Sequence, residues 1–413
     1  SDMTERKIVQ RIPQSEIADE SLLKLIHRYS SYESIQLLKN VLRSKLAQQP
    51  ETRIWDPKVM QAGFNDPALG DLNEGKSNLS NASIFKDSFS KPNSATGRDG
   101  GSNGRLGSVA DRATLTAAKS QFEKDLTRQL TQSTIRNSVV LVEMFQTQFP
   151  AISITPEYEF RVARVKSLNG SPTAMDRLID NMTSEPTGQD AWLHRIYRER
   201  QLLKLDQQES IHFTPCKATN DSKFVLDGFF NEEAWNANSA KQDKLKAEEV
   251  TSRKIDTNSS LKFAYDDEHL YIAIRQKRSN GAQLSIPDAR TRDDDLTNFS
   301  RMEIRIDVDR DYASAYQFVV DERGCCNDSL WRDPHTNDQL FNPKWYIASA
   351  RSASHWTAEI AIPLNELVDT ADENWKVGKG TAWIVDAVSK EAGASSGRVF
   401  KPDFRNEQLL LFR

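Results

Sequence analysis

The stretch LKFAYDDEHLYIAIR, from Leu261 to Arg275, alternates apolar and polar residues on both sides of an acidic pair. Alternation with a period of two is typical of a β-strand, and aspartates favour turns because their carboxylates accept hydrogen bonds from nearby backbone N–H groups. The stretch therefore predicts a β-hairpin that turns at Asp266–Asp267. The side chains expected to share one face of its second strand are Leu270, Ile272 and Ile274.

The same period of two continues from about residue 211 to residue 413. Besides the two strands of the hairpin, the alternating segments are SIHFTPC, KFVLDG, RMEIRIDVD, AYQFVVDE, WYIASAR, HWTAEIAIP, AWIVDAVS and EQLLLFR. Short strands that are joined by polar turns, without a long helix between them, are typical of an antiparallel sandwich or barrel. We therefore assign residues 211–413 to one all-β domain.

The first half of the chain has a different character. Residues 1–63 and 110–210 carry apolar residues at helical spacing, and Ser31 is placed to cap the second helix. Residues 64–109 are rich in Ser, Asn and Gly and show no period, which predicts a flexible linker. Because so long a loop is rare inside a compact domain, the fold predicted is multidomain: a helical N-terminal half with a disordered linker, and a C-terminal antiparallel β-sandwich.

The totals exclude several classes of function. The net charge of −4 gives no sign of the basic surface that nucleic-acid-binding proteins carry. No apolar run approaches the roughly 20 residues that a helix needs to span a bilayer. Three cysteines, Cys216, Cys325 and Cys326, give no disulfide framework, so we expect free thiols. No nucleophile elbow that joins a strand to a helix is recognisable in the sequence, so we expect no enzyme. We expect an extracytoplasmic protein, secreted or periplasmic, whose signal peptide was removed ahead of Ser1.

Five blocks in the second half occur in a recognisable order. They are LDGFFNEEAW, FAYDDEHLYIAIR, MEIRIDVDRDYASAYQFVVDERG, WTAEIAIPLNEL and a closing LLLF. This order resembles the family-9 carbohydrate-binding modules and the wider group of DOMON-like sandwiches. The resemblance implies a non-catalytic protein that binds sugars or polysaccharide ends as an accessory to polysaccharide degradation. In such sites sugar rings stack on aromatic side chains and polar side chains bind the hydroxyl groups.

The resemblance also implies a set of ligand residues. The residues expected to bind carbohydrate are Phe400, Glu303, Phe299, Trp331 and Asp386. Phe400 falls at a tryptophan position of the family, and Glu303 at its glutamate. Phe299 lies two residues beyond the other tryptophan position, and Asp386 falls at a late polar one. Trp331 lies in CCNDSLWRDPHTNDQ, which we interpret as a polar recognition loop, with the equal alternative that the ring folds back over the sheet.

The chain departs from the family at three positions. Thr297 replaces the first tryptophan, Val319 replaces an arginine and Arg278 replaces an aspartate. These departures favour an alternative function, an interaction scaffold that kept the sandwich and lost the sugar site. Glu303 has its own alternative, an ion pair with Arg301 or Arg305. A protein partner of the N-terminal helices is also expected.

The run IDVDRDY places Asp307, Asp309 and Asp311 at alternating positions. Oxygen-rich loops bind Ca²⁺, so these three residues predict a structural calcium site, and no other cofactor is required. A hairpin turn with Asp–Arg pairs explains the same run without metal. A remote alternative is a haem-binding redox module of the DOMON-like group, but Met302 is expected in the core rather than on an iron.

Overall fold

The chain forms two compact units, the first comprising residues 1–3 and 41–133 and the second residues 4–40 and 134–413. The computed structural model describes residues 5, 16–47, 109–150, 155–182, 186–203, 213–219, 224–236, 253–256, 259–278, 292–293, 295–370, 375–394 and 407–413. The flexible linker predicted over residues 64–109 lies outside the described residues except for Val109. In the first unit, the described residues 41–47 and 109–133 are helical.

The helical segments match the predicted helical regions. They are α1 (Glu16–Ser30), α2 (Tyr32–Ala47), α3 (Val109–Gln148), α4 (Pro156–Leu168), α5 (Thr173–Asp180) and α6 (Ala191–Leu203). Ser31 caps α2 as predicted, since its hydroxyl accepts a hydrogen bond from the Ser34 N–H at 3.1 Å. None of the described helices combines the length and the apolar character needed to cross a membrane.

In the second unit the helices α1, α3 and α4 share one apolar core. Its buried members are Leu22, Leu25, Ile26 and Tyr29 of α1, Leu141, Val142 and Phe145 of α3, and Tyr158 and Val165 of α4. The Phe145 and Tyr158 rings stack with centroids 4.5 Å apart. These core residues and the strands lie in the same compact unit, while the predicted division into separate domains stays a prediction.

Twelve strands are formed by the described residues. They are β1 (Phe213–Ala218), β2 (Arg253–Asp256), β3 (Ser259–Tyr265), β4 (His269–Lys277), β5 (Arg301–Asp307), β6 (Ala315–Asp321), β7 (Cys326–Asp333), β8 (Thr336–Asp338), β9 (Tyr346–Arg351), β10 (His355–Pro363), β11 (Ala382–Lys390) and β12 (Gln408–Phe412). Hydrogen bonds join them in the order β8-β7-β6-β5-β11-β12-β1-β3-β4-β10-β9, with β2 beside β3. The two short segments α7 (Glu233–Asn236) and α8 (Leu364–Leu367) accompany them.

The sheet is mixed, so the prediction of a wholly antiparallel sheet is wrong at β1. This strand pairs in parallel with β12 on one side and with β3 on the other. The chain between β1 and β3 is long enough to return to the same end of the sheet, which parallel pairing requires. Period-two alternation cannot distinguish the two directions, because parallel and antiparallel strands share it.

The opening hairpin forms as predicted from β3 and β4. Ala264 pairs with Tyr271, and Asp266 Oδ1 accepts hydrogen bonds from the N–H groups of Glu268 at 2.8 Å and His269 at 2.7 Å. The side chains that share the fully buried face of β4 are Leu270, Ile272 and Ile274. The opposite face is also buried, since Tyr271 stacks on Phe224 with centroids 3.9 Å apart.

Two predicted segments differ from the structure. Residues 224–228 of the predicted strand KFVLDG form no strand, because they cross the outside of β3, β4 and β10 and pack against them. The stretch interpreted as a recognition loop, CCNDSLWRDPHTNDQ, instead contains β7 and β8. Its polar residues, such as Asp328 and Ser329, resemble a loop in sequence, yet they are buried in the sheet.

A carboxylate clamp fixes the segment that crosses this face. Glu359 of β10 accepts hydrogen bonds from the Asp227 N–H at 3.1 Å, the Gly228 N–H at 2.9 Å and the Trp235 indole N–H at 2.8 Å. The Trp235 side chain is buried beneath this segment. Burial raises the pKa of Glu359 to about 7 against the influence of these three donors. The sequence motifs LDG, W and E-x-A-I-P are therefore in contact with one another, through the hydrogen bonds of Asp227, Gly228 and Trp235 to Glu359.

Gly228 occupies the tightest point of this clamp. Its φ is +85°, and a Cβ added there would lie 2.7 Å from the backbone N of Ala350 and 2.7 Å from the backbone C of Ser349, both on β9. Glycine is needed here both for the backbone conformation and for the close approach of two backbones.

The outer face of the sheet is covered unevenly. Helices α4, α5 and α6 pack on β1, β11 and β12 through buried residues such as Phe160, Ile196 and Leu409. The segment 224–236 covers β3, β4 and β10. In contrast, the outer face of β5, β6 and β7 carries polar side chains, and this is where the candidate site lies.

Candidate functional site

Polar side chains form a row across four neighbouring strands on this face. The β-sheet register places Asp386 of β11 beside Arg305 of β5, Arg305 beside Gln317 of β6, and Gln317 beside Ser329 of β7. Arg305 donates to Asp386 Oδ2 at 3.2 Å and to Gln317 Oε1 at 3.2 Å. The row is therefore held by its own hydrogen bonds.

Glu303 is buried beside this row between two arginines. Arg301 Nε donates to Glu303 Oε1 at 3.0 Å, and Arg305 Nη2 lies 3.8 Å from Glu303 Oε2. Arg301 also donates to the carbonyl oxygens of Thr297 at 3.3 Å and Ala394 at 2.9 Å. The ion-pair alternative for Glu303 is thus realised. Its role as a carbohydrate ligand stays a prediction.

Trp331 lies inside β7, so its predicted position on a loop is wrong. The ring is buried, its Nε1–H donates to Gln317 Oε1, and the Arg305 guanidinium carbon lies 5.6 Å from the ring centroid. Asp386 is also buried and is held by Arg305. The structure therefore brings Glu303, Trp331 and Asp386 together around Arg305.

The two predicted phenylalanines are placed differently. The Phe299 ring is half-buried, and the guanidinium carbon of Arg323 lies 3.3 Å from its centroid. Arg323 is in turn held by Asp321 at 2.7 Å. Phe400 lies outside the described residues.

An open polar cavity of about 560 Å³ lies against β6 and β7. Its floor is formed by side chains of these two strands, and its walls come from the loop before β5 and the segment that begins in β8. The lining residues are Asp293, Asp295, Leu296, Thr297, Arg301, Gln317, Val319, Asn327, Asp328, Ser329, Asn337, Gln339, Phe341 and Asn342. Amides, carboxylates and hydroxyls thus converge on one space.

Two exposed aspartates stand on the wall before β5. Asp293 has a φ of +63°, a conformation that aspartate tolerates better than most residues. Asp295 Oδ1 accepts hydrogen bonds from the Thr297 hydroxyl at 2.6 Å and from the Thr297 N–H at 3.0 Å. These bonds lower the pKa of Asp295, which keeps the carboxylate ionised at neutral pH.

The far wall of the cavity, formed by residues that follow β7, was not identified as part of a site from the sequence. Asn337, Gln339 and Asn342 are exposed and follow the buried strand β7. The signal that marks them is the high density of amide side chains in HTNDQLFN. That signal is also typical of an ordinary turn, and only the return of β8 onto β7 places these amides in the same cavity as Asp293 and Asp295.

The calcium prediction leads to a second cluster, at the turn between β5 and β6. Carboxylate oxygens of Glu33, Asp307 and Asp309 lie within 4.8 Å of one another and are buried. Glu33 comes from α2 and accepts a hydrogen bond from the Val308 N–H at 2.8 Å. Asp311 does not share this group: its Oδ1 accepts from the N–H of Ala313 at 2.7 Å. The predicted trio is therefore corrected to Glu33, Asp307 and Asp309.

Charge is unbalanced around this cluster. Burial, together with the neighbouring carboxylates, raises the pKa values of Glu33 and Asp307, and burial also raises that of Asp309. Burial alone would raise the pKa of Asp311 as well, but the guanidinium groups of Arg161 and Arg164 lower it. Two arginines thus face four carboxylates, which favours protonation or a bound cation.

No family model matches the chain, and no curated protein matches it. Among solved structures, it is similar to a family-9 carbohydrate-binding module from Caldicellulosiruptor kristjanssonii in complex with cellotriose. The identity is 15%, the TM-score is 0.31, and the match covers 49% of this chain and 94% of that module. A module of the same family and organism in complex with glucose matches at 13% identity and a TM-score of 0.28, over 50% of this chain and 96% of the module.

Proposed function

We propose that the β-sheet half of this chain is a non-catalytic carbohydrate-binding module and that its ligand site is the cavity on β6 and β7. The observation that carries the proposal is an open space of about 560 Å³ whose lining is dominated by amide, carboxylate and hydroxyl groups. Each sugar hydroxyl both donates and accepts hydrogen bonds, and such side chains supply both partners. The volume lies within the range that is usual for small-molecule sites.

The proposed ligand is an exposed end of a polysaccharide or a short oligosaccharide, and the proposed role is an extracytoplasmic accessory to polysaccharide degradation. Hydrogen bonds would supply most of the affinity. The one aromatic residue among the described lining residues, Phe341, is buried and packs on Tyr316 with centroids 4.8 Å apart. Stacking would have to come from an aromatic residue other than Phe341, such as the predicted ligands Phe299 and Phe400.

The first prediction concerns the two exposed amides of the far wall. Asn337→Ala and Asn342→Ala are each expected to weaken oligosaccharide binding about threefold to tenfold, because each removes a hydrogen bond worth about 1 kcal/mol. A glycan array with the full chain would identify a ligand, and calorimetric titration would measure the affinity of each variant.

Asn365→Ala is the matched control, since Asn365 is an exposed asparagine on α8 that does not line the cavity. Unchanged affinity in both wall variants would remove the cavity from the proposal. Absence of binding to every glycan by the folded protein would contradict the function itself.

A specific observation favours the alternative of an interaction scaffold. Glu303, Trp331 and Asp386, which the family resemblance assigns to sugar, all bind partners within the protein. On this view, the polar face stabilises the sheet and a protein partner binds elsewhere, for instance on the N-terminal helices. An empty glycan array would favour this alternative.

We also propose that Glu33, Asp307 and Asp309 hold a structural Ca²⁺. Three buried carboxylates provide the hard oxygen ligands that Ca²⁺ prefers, and the excess negative charge of the cluster favours a cation. The ion would link α2 to the turn between β5 and β6. Its contribution would be to stability, at a position separate from the cavity lining.

The second prediction tests this site. Millimolar Ca²⁺ is expected to raise the unfolding midpoint of the chelator-treated protein by several degrees, and Glu33→Gln is expected to abolish the increase. Differential scanning calorimetry would measure both. The control is Glu268→Gln on the exposed hairpin turn, which should keep the response. If Ca²⁺ leaves the unfolding midpoint of the wild-type protein unchanged, the proposed calcium site is excluded.

A further inference from the structure

From the arrangement of charge in the cavity, and resting on the carbohydrate function proposed above, we infer that the site selects saccharides by charge. Sugars that carry an amine bind best, neutral sugars bind less tightly, and sugars that carry a carboxylate are excluded. The inference concerns the chemical class of the ligand and is independent of which glycan backbone is bound.

The described lining presents two exposed carboxylates. Asp293 and Asp295 are exposed on the wall before β5. A ligand in this space therefore meets both aspartates. These carboxylates attract a positively charged amine on the ligand and repel the carboxylate of a uronate, because the electrostatic interaction energy changes sign with the charge of the ligand.

Asp328 contributes no accessible carboxylate to this space. Its side chain is 4% exposed, and its Oδ2 accepts from Arg292 Nη2 at 2.7 Å, Arg292 Nε at 3.1 Å and Trp345 Nε1 at 3.0 Å. The β-sheet register places Asp328 beside Phe318, on the face of β7 opposite to that of Asn327 and Ser329. The negative charge that a ligand meets is therefore that of Asp293 and Asp295.

The positive side chains near the cavity are already engaged. Arg301 donates to Glu303, to the Thr297 carbonyl and to the Ala394 carbonyl. Arg292 donates to Asp328 and to the Pro343 carbonyl. Guanidinium groups held in this way have few N–H donors left for a ligand carboxylate. Within the described lining, the charge that remains accessible to a ligand is negative.

Three tetrasaccharides with the same β-1,4-linked glucose backbone test the inference. They are cellotetraose, which is neutral, the fully deacetylated glucosamine tetramer, and the glucuronate tetramer. The affinities are measured by calorimetric titration of the full chain at pH 5.5 and low salt. The glucosamine tetramer is expected to bind about threefold to tenfold more tightly than cellotetraose. The glucuronate tetramer is expected to bind about threefold to tenfold more weakly than cellotetraose. Raising the salt concentration to 0.3 M should narrow both differences.

The variant Asp293→Asn combined with Asp295→Asn should bring the three affinities within about twofold of one another. Asparagine keeps the size of the side chain and tolerates the backbone conformation of Asp293. The control is Asp267→Asn on the exposed hairpin turn, which removes one negative charge outside the cavity and should leave the order of the three affinities unchanged.

The outcomes separate this inference from the function on which it rests. Equal affinities in the wild type, or an order changed as much by Asp267→Asn as by the cavity variant, would overturn selection by charge and leave carbohydrate binding in place. Failure of all three tetramers to bind would also overturn it. An empty glycan array with folded protein would overturn the proposed function as well.

Discussion

Replacing Gly228 by alanine is expected to lower the free energy of unfolding by about 3–5 kcal/mol, which is a large part of a typical total. Two costs combine at this position. The φ of +85° strains any residue with a Cβ, and the new Cβ would lie 2.7 Å from two backbone atoms of β9. Backbone atoms in a paired strand cannot move aside as a flexible side chain can. Urea unfolding would measure the change.

Two other glycines separate these two costs. Gly380 has a φ of +94° but open space around its Cβ position, so Gly380→Ala should cost only about 1 kcal/mol. Gly378 has open space and no positive φ, so Gly378→Ala should change stability by less than about 0.5 kcal/mol. Similar losses at Gly228 and Gly380 would contradict the close approach of segment 224–236 to β9.

The second large effect is expected at Arg28, where Arg28→Met should destabilise the protein by about 3–5 kcal/mol. Arg28 of α1 is buried and donates to Asp333 Oδ2 at 2.8 Å and to the Thr336 hydroxyl at 2.7 Å, at the junction of β7 and β8. Methionine would fill much of the space but leave the buried Asp333 carboxylate without its cation. Thermal and urea unfolding would measure the loss.

A double-mutant cycle identifies the cause of that loss. Adding Asp333→Asn to Arg28→Met should recover part of the stability, because the buried charge is then removed with its partner. The control on the same helix is Lys24→Met, since Lys24 makes only a half-exposed pair with Glu20 at 2.7 Å and should cost less than about 0.5 kcal/mol. A loss at Arg28 no larger than at Lys24 would contradict the buried ion pair.

Arg28 also connects stability with the proposed binding site. The strand β8 that it holds begins at Thr336, and the next residue, Asn337, belongs to the far wall of the cavity. Loss of the arginine is therefore expected to weaken saccharide binding in addition to stability. The helical part of this unit thus shapes the cavity from outside the sheet.

Local patterns made much of the sheet predictable from the sequence. The hairpin of β3 and β4 was predictable because period-two alternation and an Asp turn both act within a few residues. The cap at Ser31 was predictable for the same reason. The contact of Gly228 with β9, in contrast, depends on residues more than a hundred positions away.

The site was predictable only in part, because its geometry depends on long-range pairing. The family resemblance identified Glu303 and Asp386 as ligand positions, but their common partner Arg305 follows from strand register. Because the polar sequence of β7 resembles a loop, Trp331 was predicted on a recognition loop, whereas it lies in a buried strand. The contribution of Glu33 to the acidic cluster required α2 to contact a turn about 270 residues later, which no local pattern records.

The position of β12 has a consequence for how the protein is made. This strand lies in the middle of the sheet, where Leu409 pairs with Phe213 of β1 and with Ile384 of β11. Until residues 408–412 leave the ribosome, the two halves of the sheet have no strand to join them, and each presents an unpaired edge. The nascent chain therefore exposes two unpaired strand edges until this segment has been synthesised, and unpaired edges favour aggregation.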